Sequence, residues 1–294
     1  MNHITDNPET IAYPGRDGAH AGAAAEALFP AAELRSLPSF RAVAEAVAAG
    51  EVDAGVLPIE SSLVGPVNET HDLLYASSLS IVGQVVLPIE HVLAAPAAVG
   101  PAEIRVVRSH PMALDQCRAF LASIPDAVAV ASATTADAAR EVAERGDLAE
   151  AAIASSRAAR LYGLTVIAEG IGDHPEAYTR FVSVATYTRL DRNGHPFRTA
   201  LSFVTDHRPG ALHHALEPFA RHAIDLVQLV SRPIPHSPFK HRFDAVIKGH
   251  PLDEVVAEAL RDLRARTRQV LVFGSYPVEE DDAVEAGGVV EGGV

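Results

Sequence analysis

The chain has 294 residues, 48% hydrophobic and 21% charged, with a formal net charge of −14. That length has room for two domains, and the acidic balance excludes the basic face that nucleic acid requires. No apolar run reaches the roughly 20 residues of a membrane span.

Met1 to Thr10 is polar and lacks the apolar stretch of a secretory signal, and a single cysteine, Cys117, leaves no internal disulfide. The expected setting is the cytoplasm. In chain order, the first notable segment is the glycine loop Ala12-Tyr13-Pro14-Gly15-Arg16-Asp17-Gly18-Ala19, where Gly15 and Gly18 permit a tight backbone approach. A helical pattern, Phe40 to Ala48, then leads into the β-type run Val52 to Ile59.

That run ends in Pro58-Ile59-Glu60-Ser61-Ser62-Leu63-Val64-Gly65-Pro66-Val67-Asn68-Glu69-Thr70. A strand here delivers a carboxylate and two hydroxyls to its C-terminal end, and a helix begins at Asn68 or Glu69. Helix N-termini offer free N–H groups and a positive dipole end, so the segment suits a small anionic ligand. An ordinary capped strand–turn–helix fits the same residues.

The alternation continues through the helix Glu69 to Tyr75, the run Leu79 to Leu87, the run Ile104 to Val107, and the helix Met112 to Ala122. The run Val128 to Ala131, the helix Thr135 to Glu144 and the run Ala151 to Ala154 follow. Alternating strands and helices imply βαβ units and mainly parallel sheets. Leu87 to Ala94 reads as one long extended run, and Val166 to Phe181 as a second. Two such crossings predict a two-lobed, periplasmic-binding-protein-like α/β domain with the inner lobe at about 90–168 and a ligand in the cleft.

After the turn-rich segment Asp191 to Phe197, the pattern becomes β-α-β-β-α-β: Ala200 to Val204, a helix to about His222, Asp225 to Val230, Arg242 to Ile247, Leu252 to Arg266 and Gln269 to Phe273. This is the ferredoxin-like order. The acidic, Gly- and Val-rich residues 278–294 predict a disordered tail.

Gly170-Ile171-Gly172 lacks the third glycine of a dinucleotide site, and the fourteen histidines form no metal-spaced cluster, so neither cofactor nor metal is expected. Cys117 is expected to be a buried small residue.

The Val56–Thr70 stretch closely resembles the prephenate dehydratase signature Pro-Ile-Glu-Asn-Ser with its following Gly and Val-Asn-Glu-Thr. Four more segments resemble that family in order: the glycine loop, Ser109-His110-Pro111 with Gln116-Cys117, Ala152-Ile153-Ala154-Ser155 with Leu161-Tyr162-Gly163-Leu164, and Thr179-Arg180-Phe181. The resemblance covers residues 10–277. It implies a catalytic domain at 10–187, an ACT regulatory domain at 198–277, and loss of water and carbon dioxide from prephenate to give phenylpyruvate, without a cofactor.

By the same resemblance, Thr179 contacts the leaving hydroxyl. Arg180 is either a carboxylate clamp or a structural ion pair, and Glu60 either moves a proton or braces the cleft. The substrate-binding candidates are Gly15, Gly18, Ser61, Ser62, Ser109, His110, Thr135, Ser155 and Phe181. His110 could also orient its loop, and Thr134, Thr135 and Ser155 could serve as helix caps. Gly210, Ala211, Leu212, Ser231 and Arg232 match the amino-acid site of an ACT domain at a subunit interface of a homodimer or homotetramer.

Three positions depart from the family pattern. Ser61 replaces the usual Asn, His20-Ala21 replaces an aromatic residue followed by Ser, and Val230 replaces the Glu that reads an ammonium group. L-phenylalanine is therefore expected to act weakly or not at all. The alternatives are arogenate dehydration, prephenate decarboxylation without aromatisation, and a non-catalytic two-lobed sensor.

Overall fold

The computed structural model describes residues 8–124, 126–188, 195–234, 237 and 240–278. The predicted tail at 278–294 lies outside these residues from 279 onward, as does most of the turn-rich segment after 188. By contacts the described chain forms two compact units. One holds residues 8–67 and 85–181, and the other 68–84 and 182–278. The helix after the Glu60 segment thus groups with the C-terminal sheet.

The elements run in order β1 (Thr10–Pro14), α1 (His20–Leu28), β2 (Glu33–Leu37), α2 (Phe40–Ala49), β3 (Ala54–Ser61), β4 (Gly65–Pro66), α3 (Asn68–Ala76) and β5 (Ser80–Pro88). The inner lobe supplies β6 (Val92–Ala95), β7 (Val106–Ser109), α4 (Pro111–Asp115), α5 (Arg118–Ala122), β8 (Val128–Ala131), α6 (Thr135–Arg145), β9 (Glu150–Ala154), α7 (Ser156–Leu161) and β10 (Thr165–Ala168). Then come β11 (Tyr178–Ala185), β12 (Phe197–Val204), α8 (Ala211–Arg221), β13 (Leu226–Pro233), β14 (His241–Lys248), α9 (Glu254–Arg266) and β15 (Gln269–Pro277).

The first sheet has the order β2-β1-β3-β11-β5 with β4 on β3, and the second β10-β6-β9-β7-β8. The expected α/β character holds, but the sheets are more mixed than the expected mainly parallel ones: β6 is antiparallel to both β9 and β10. The long run Leu87 to Ala94 is divided between β5 and β6, which belong to different sheets. Likewise Val166 to Phe181 is interrupted between β10 and β11. The helix expected at Met112 to Ala122 breaks at Gln116-Cys117, where Asp173 accepts from the N–H groups of Arg118 and Ala119 at 3.0 and 3.1 Å. An acidic side chain at a helix start satisfies groups that a continuous helix would bond internally.

Period two is plain in the inner-lobe sheet. Val92, Ala94, Ala152 and Ala154 pack with Ala139 and Val142 of α6, while Leu93, Ala95, Ala151 and Ile153 pack with Ala113 and Cys117 on the other face. Alternate residues of a strand point to opposite faces, so small residues let helices approach both. The helices are bounded as their sequence asks: Ser39 caps α2 and Thr134 caps α6, with left-handed Gly50 and Gly146 closing them.

In the C-terminal unit the sheet order is β13-β14-β12-β15, each neighbouring pair antiparallel. With α8 and α9 this is the βαββαβ arrangement read from the sequence. Leu201, Phe203, Ala215, Phe219, Ile247, Leu260 and Leu263 form its core. Arg208-Pro209 falls before α8, whose start is set by Gly210 at φ 78°. Within the same unit the guanidinium of Arg242, wholly buried, reaches Asp72 at 2.9 Å and Asp244 at 3.1 Å.

Candidate active site

A cleft of about 390 Å³ opens in the first unit, between the end of β3, the loop before α1 and the inner-lobe helix starts. Its polar lining comes from His20, Ser61, His91, His110, Gln116, Thr134, Thr135, Tyr178 and Thr179, with Phe181 and Val64 among the apolar groups. Each lies at an element end because β3, β7 and β11 deliver their termini to this edge. That is where free backbone groups and short polar side chains converge.

The Glu60 segment turns back on itself tightly. Glu60 pairs with Pro66 and Ser61 with Gly65, the latter at φ 82° where glycine carries no steric penalty. Ser62 then pins the neighbouring strand reciprocally: its N–H donates to the Tyr178 carbonyl at 2.9 Å, and the Tyr178 N–H donates to its Oγ at 2.9 Å. Ser62 thereby fixes the residue next to Thr179 without lining the cleft itself.

Glu60 and Arg180 are also outside the lining. They form an ion pair at 2.8 Å between the adjacent strands β3 and β11, each partly exposed. Of their two sequence readings, this geometry supports the brace. The remaining candidates divide the same way. Thr135 lines the cleft at the first turn of α6, and His110 lines it while its Nδ1 accepts the Met112 N–H at 3.2 Å.

Ser109 is buried and donates to the Ile153 carbonyl at 2.7 Å. Ser155 caps α7 and donates to the Gly18 carbonyl at 3.2 Å. Gly18 itself, at φ 91°, lies against α7: a Cβ there would meet the Ala158 Cα at 3.0 Å. Gly15 also holds a positive φ, 101°. Ser155 and Gly18 join the glycine loop to α7, Ser109 ties β7 to β9, and neither these three nor Gly15 line the cleft; the Arg16–Asp137 ion pair links the glycine loop to α6.

Sequence reasoning missed the histidine wall. His91 Nε2 lies 2.9 Å from Gln116 Oε1, which assigns the proton to Nε2 and leaves Nδ1 as a lone pair. His20 sits edge-on to it, with ring centroids 6.4 Å apart. Burial drives His20 down to about 4, helped by the neighbouring His91, and burial also lowers His91 against the opposing bond to Gln116. The only sequence signal was that His20 stands where an aromatic residue is usual. Cys117 is buried as expected, and that burial pushes its thiol up to about 12, unsuited to nucleophilic work.

Among the described residues no group of three His, Cys, Asp or Glu side chains could hold a metal ion, and no helix is long and apolar enough to cross a membrane.

In the C-terminal unit, Ser231 Oγ lies 3.1 Å from His241 Nδ1 and Arg232 pairs with Asp72 at 2.7 Å. Ser231 lines a cavity of about 330 Å³ that Gly210, Ala211 and Leu212 do not reach. Ala211 is buried, and Leu212 packs against the unit's core.

The prephenate dehydratase family model matches residues 11–189, well over half of the chain. The chain belongs to the prephenate dehydratase family. Its reaction is prephenate dehydration in phenylalanine biosynthesis. An arogenate dehydratase/prephenate dehydratase of Arabidopsis thaliana is 36% identical, the alignment covering 92% of this chain and 73% of the relative. The solved prephenate dehydratase of Arthrobacter aurescens, in complex with L-Phe, superposes with a TM-score of 0.84 at 32% identity, over 92% of this chain and 90% of that one. A structure described as a novel type of quorum-quenching acylase superposes equally well, 0.84 at 30% identity, over 92% and 99%.

Proposed function

We propose that the cleft bounded by Ser61, Thr179 and the histidine wall binds prephenate, and that Thr179 is the group against its departing ring hydroxyl. The observation that carries this reading is the reciprocal Ser62–Tyr178 hydrogen bonding, which holds Thr179 in the cleft beside Ser61. Aromatisation supplies much of the driving force, so the protein's work is positioning and help to one leaving group. Ser61, Thr135 and His110 offer hydrogen bonds to carboxylates. The Glu60–Arg180 pair keeps the two strands in register. This chemistry requires neither metal nor organic cofactor.

Thr179→Ala should lower turnover on the order of 10²-fold with a smaller change in KM, while Thr179→Ser keeps much of the rate. Near-parental turnover in the alanine variant would remove Thr179 from the reaction.

A second reading, arogenate dehydration, is favoured by the name of the Arabidopsis relative. Competition between the two substrates in one assay separates them. Acyl transfer, as in the acylase neighbour, is disfavoured: the cleft hydroxyl of Ser61 is already engaged, accepting the Leu63 N–H at 3.3 Å.

The βαββαβ unit is read as an ACT domain that joins subunits into a dimer or tetramer. Arg232 is engaged with Asp72, and Val230 offers no side-chain acceptor for an ammonium, so L-phenylalanine is a weak effector at most. The cytoplasm is the proposed location, consistent with a single buried cysteine.

A further inference from the structure

We propose that the His20–His91 pair takes up one proton as prephenate binds and supplies it to the ring hydroxyl as that group leaves. This rests on the prephenate reading of the same cleft.

The proton balance of the reaction comes first. Prephenate carries two carboxylates. The bond from the ring to its carboxylate breaks, releasing carbon dioxide, and the electron pair enters the ring. The ring carbon–oxygen bond breaks at the same time, and its oxygen must gain a proton to leave as water. Phenylpyruvate keeps one carboxylate, so each turnover consumes one proton, and the imidazolium that gives it up returns to neutral imidazole.

The cleft has few ways to hold a dianion. Among the described residues lining it there is no lysine, arginine, aspartate or glutamate. Its titratable side chains are His20, His91, His110 and Tyr178. The chain as a whole is acidic, at −14, so its long-range field opposes a dianion.

Charges on the surrounding elements do not supply the missing cation. Toward α1, β1 brings Tyr13, hydrogen-bonded to Asp17 at 2.7 Å, β2 brings exposed Glu33 and Arg35, and β3 brings Glu60, paired with Arg180. Toward β6, β9 brings Glu150, paired with Arg108. From α6 come Asp137, paired with Arg16, Arg140, paired with Glu144, and Glu141, which accepts from Ser132. The ion-paired charges are already neutralised, Asp17 and Glu141 are anions that add no cation, and Glu33 and Arg35 are exposed to water.

Two buried ring nitrogens in the wall have no partner: His20 Nε2 and His91 Nδ1. An unsatisfied buried nitrogen is costly, and a ligand oxygen or an added proton relieves the cost. Burial favours the neutral form of both rings. A carboxylate brought against them reverses that preference, because an opposite charge in a desolvated site favours the protonated ring. At a 6.4 Å ring separation the first charge opposes a second, so the pair holds one proton. Thr179 lines the same cleft and is not itself an acid, which is why a proton store nearby is useful.

The test is calorimetric titration of the slow Thr179→Ala chain with prephenate at pH 7, in phosphate and in Tris. The dependence of heat on buffer ionisation counts protons, and about one per site is expected. In parallel, KM of the parent should fall as pH is lowered from 8 to 6, by up to about tenfold per unit. His20→Phe, restoring the usual aromatic residue, should flatten that slope, abolish the uptake and lower kcat at least about tenfold. His91→Asn should do the same. Heats independent of buffer, or an uptake that neither histidine substitution diminishes, would overturn the proposal. Absence of any binding heat together with absence of turnover by the parent would instead strike the prephenate reading, and this inference with it.

Discussion

Single residues in this cleft act through what their neighbours leave available. Ser61 illustrates it: one short hydroxyl stands where the family usually places a carboxamide, and its oxygen already accepts the Leu63 N–H at 3.3 Å. A carboxamide brings two donors and an acceptor to the same place. Ser61→Asn should therefore lower KM for prephenate, read by steady-state kinetics. A large loss of activity would show that the cleft has repacked around serine. At this scale the sequence was informative where a residue's role is local. Thr134 as a cap, Cys117 as core and the positive-φ glycines follow from residue type. It was silent on His20 and His91, separated by 71 positions, because only tertiary packing buries one ring against the other. It also left Arg180 open between a clamp and an ion pair, since its partner Glu60 lies 120 positions away.

At the scale of elements, period and turn chemistry predicted most strands and helices, and the misses have identifiable causes. Leu87 to Ala94 is apolar throughout, and no local signal marks where one sheet ends and the next begins. The break between α4 and α5 depends on Asp173, a distant carboxylate. The grouping of α3 with the C-terminal sheet was equally illegible, because it depends on side chains far apart in sequence. His71 Nδ1 lies 3.2 Å from Asp244, Arg232 and Arg242 both reach Asp72, and Arg242 stacks over the Tyr75 ring at 4.2 Å.

Removing one partner of a buried pair leaves an uncompensated charge. Arg242→Leu leaves Asp244, which is 3% exposed, without its guanidinium and with His71 alone beside it, and should cost about 3–5 kcal/mol of that unit's stability. Unfolding monitored in urea reads this, and an unchanged midpoint would show that the cluster holds nothing. Asp72→Asn should cost much less, since Asp72 is half-exposed. Its pH dependence has a fixed sign. Burial works to raise the Asp72 carboxyl, but hydrogen bonds from Arg242 and Arg232 outweigh it and hold it below its ordinary 3.8. The contribution is thus present above that value and is lost as pH falls beneath it. The difference between Asp72→Asn and the parent should shrink in acid.

For the whole molecule, the proposed function asks an acidic chain, whose cleft is lined by no lysine or arginine among the described residues, to bind a dianion. Helix-start hydrogen bonds, hydroxyls and the histidine wall meet that requirement in this proposal, and the net charge elsewhere is unchanged. The strand–helix alternation of the first two sheets and the βαββαβ order of the third were both legible, because those depend on local period. The arrangement of the site was legible only as far as the motif residues cluster at strand ends. The most direct measurement is the alkaline ultraviolet absorbance of phenylpyruvate formed when the purified chain is incubated with prephenate, with no metal or cofactor added and with the uncatalysed rate subtracted. Steady accumulation of phenylpyruvate, matched mole for mole by carbon dioxide, is the predicted result; binding of prephenate with no phenylpyruvate formed would contradict the account and make the cleft a sensor.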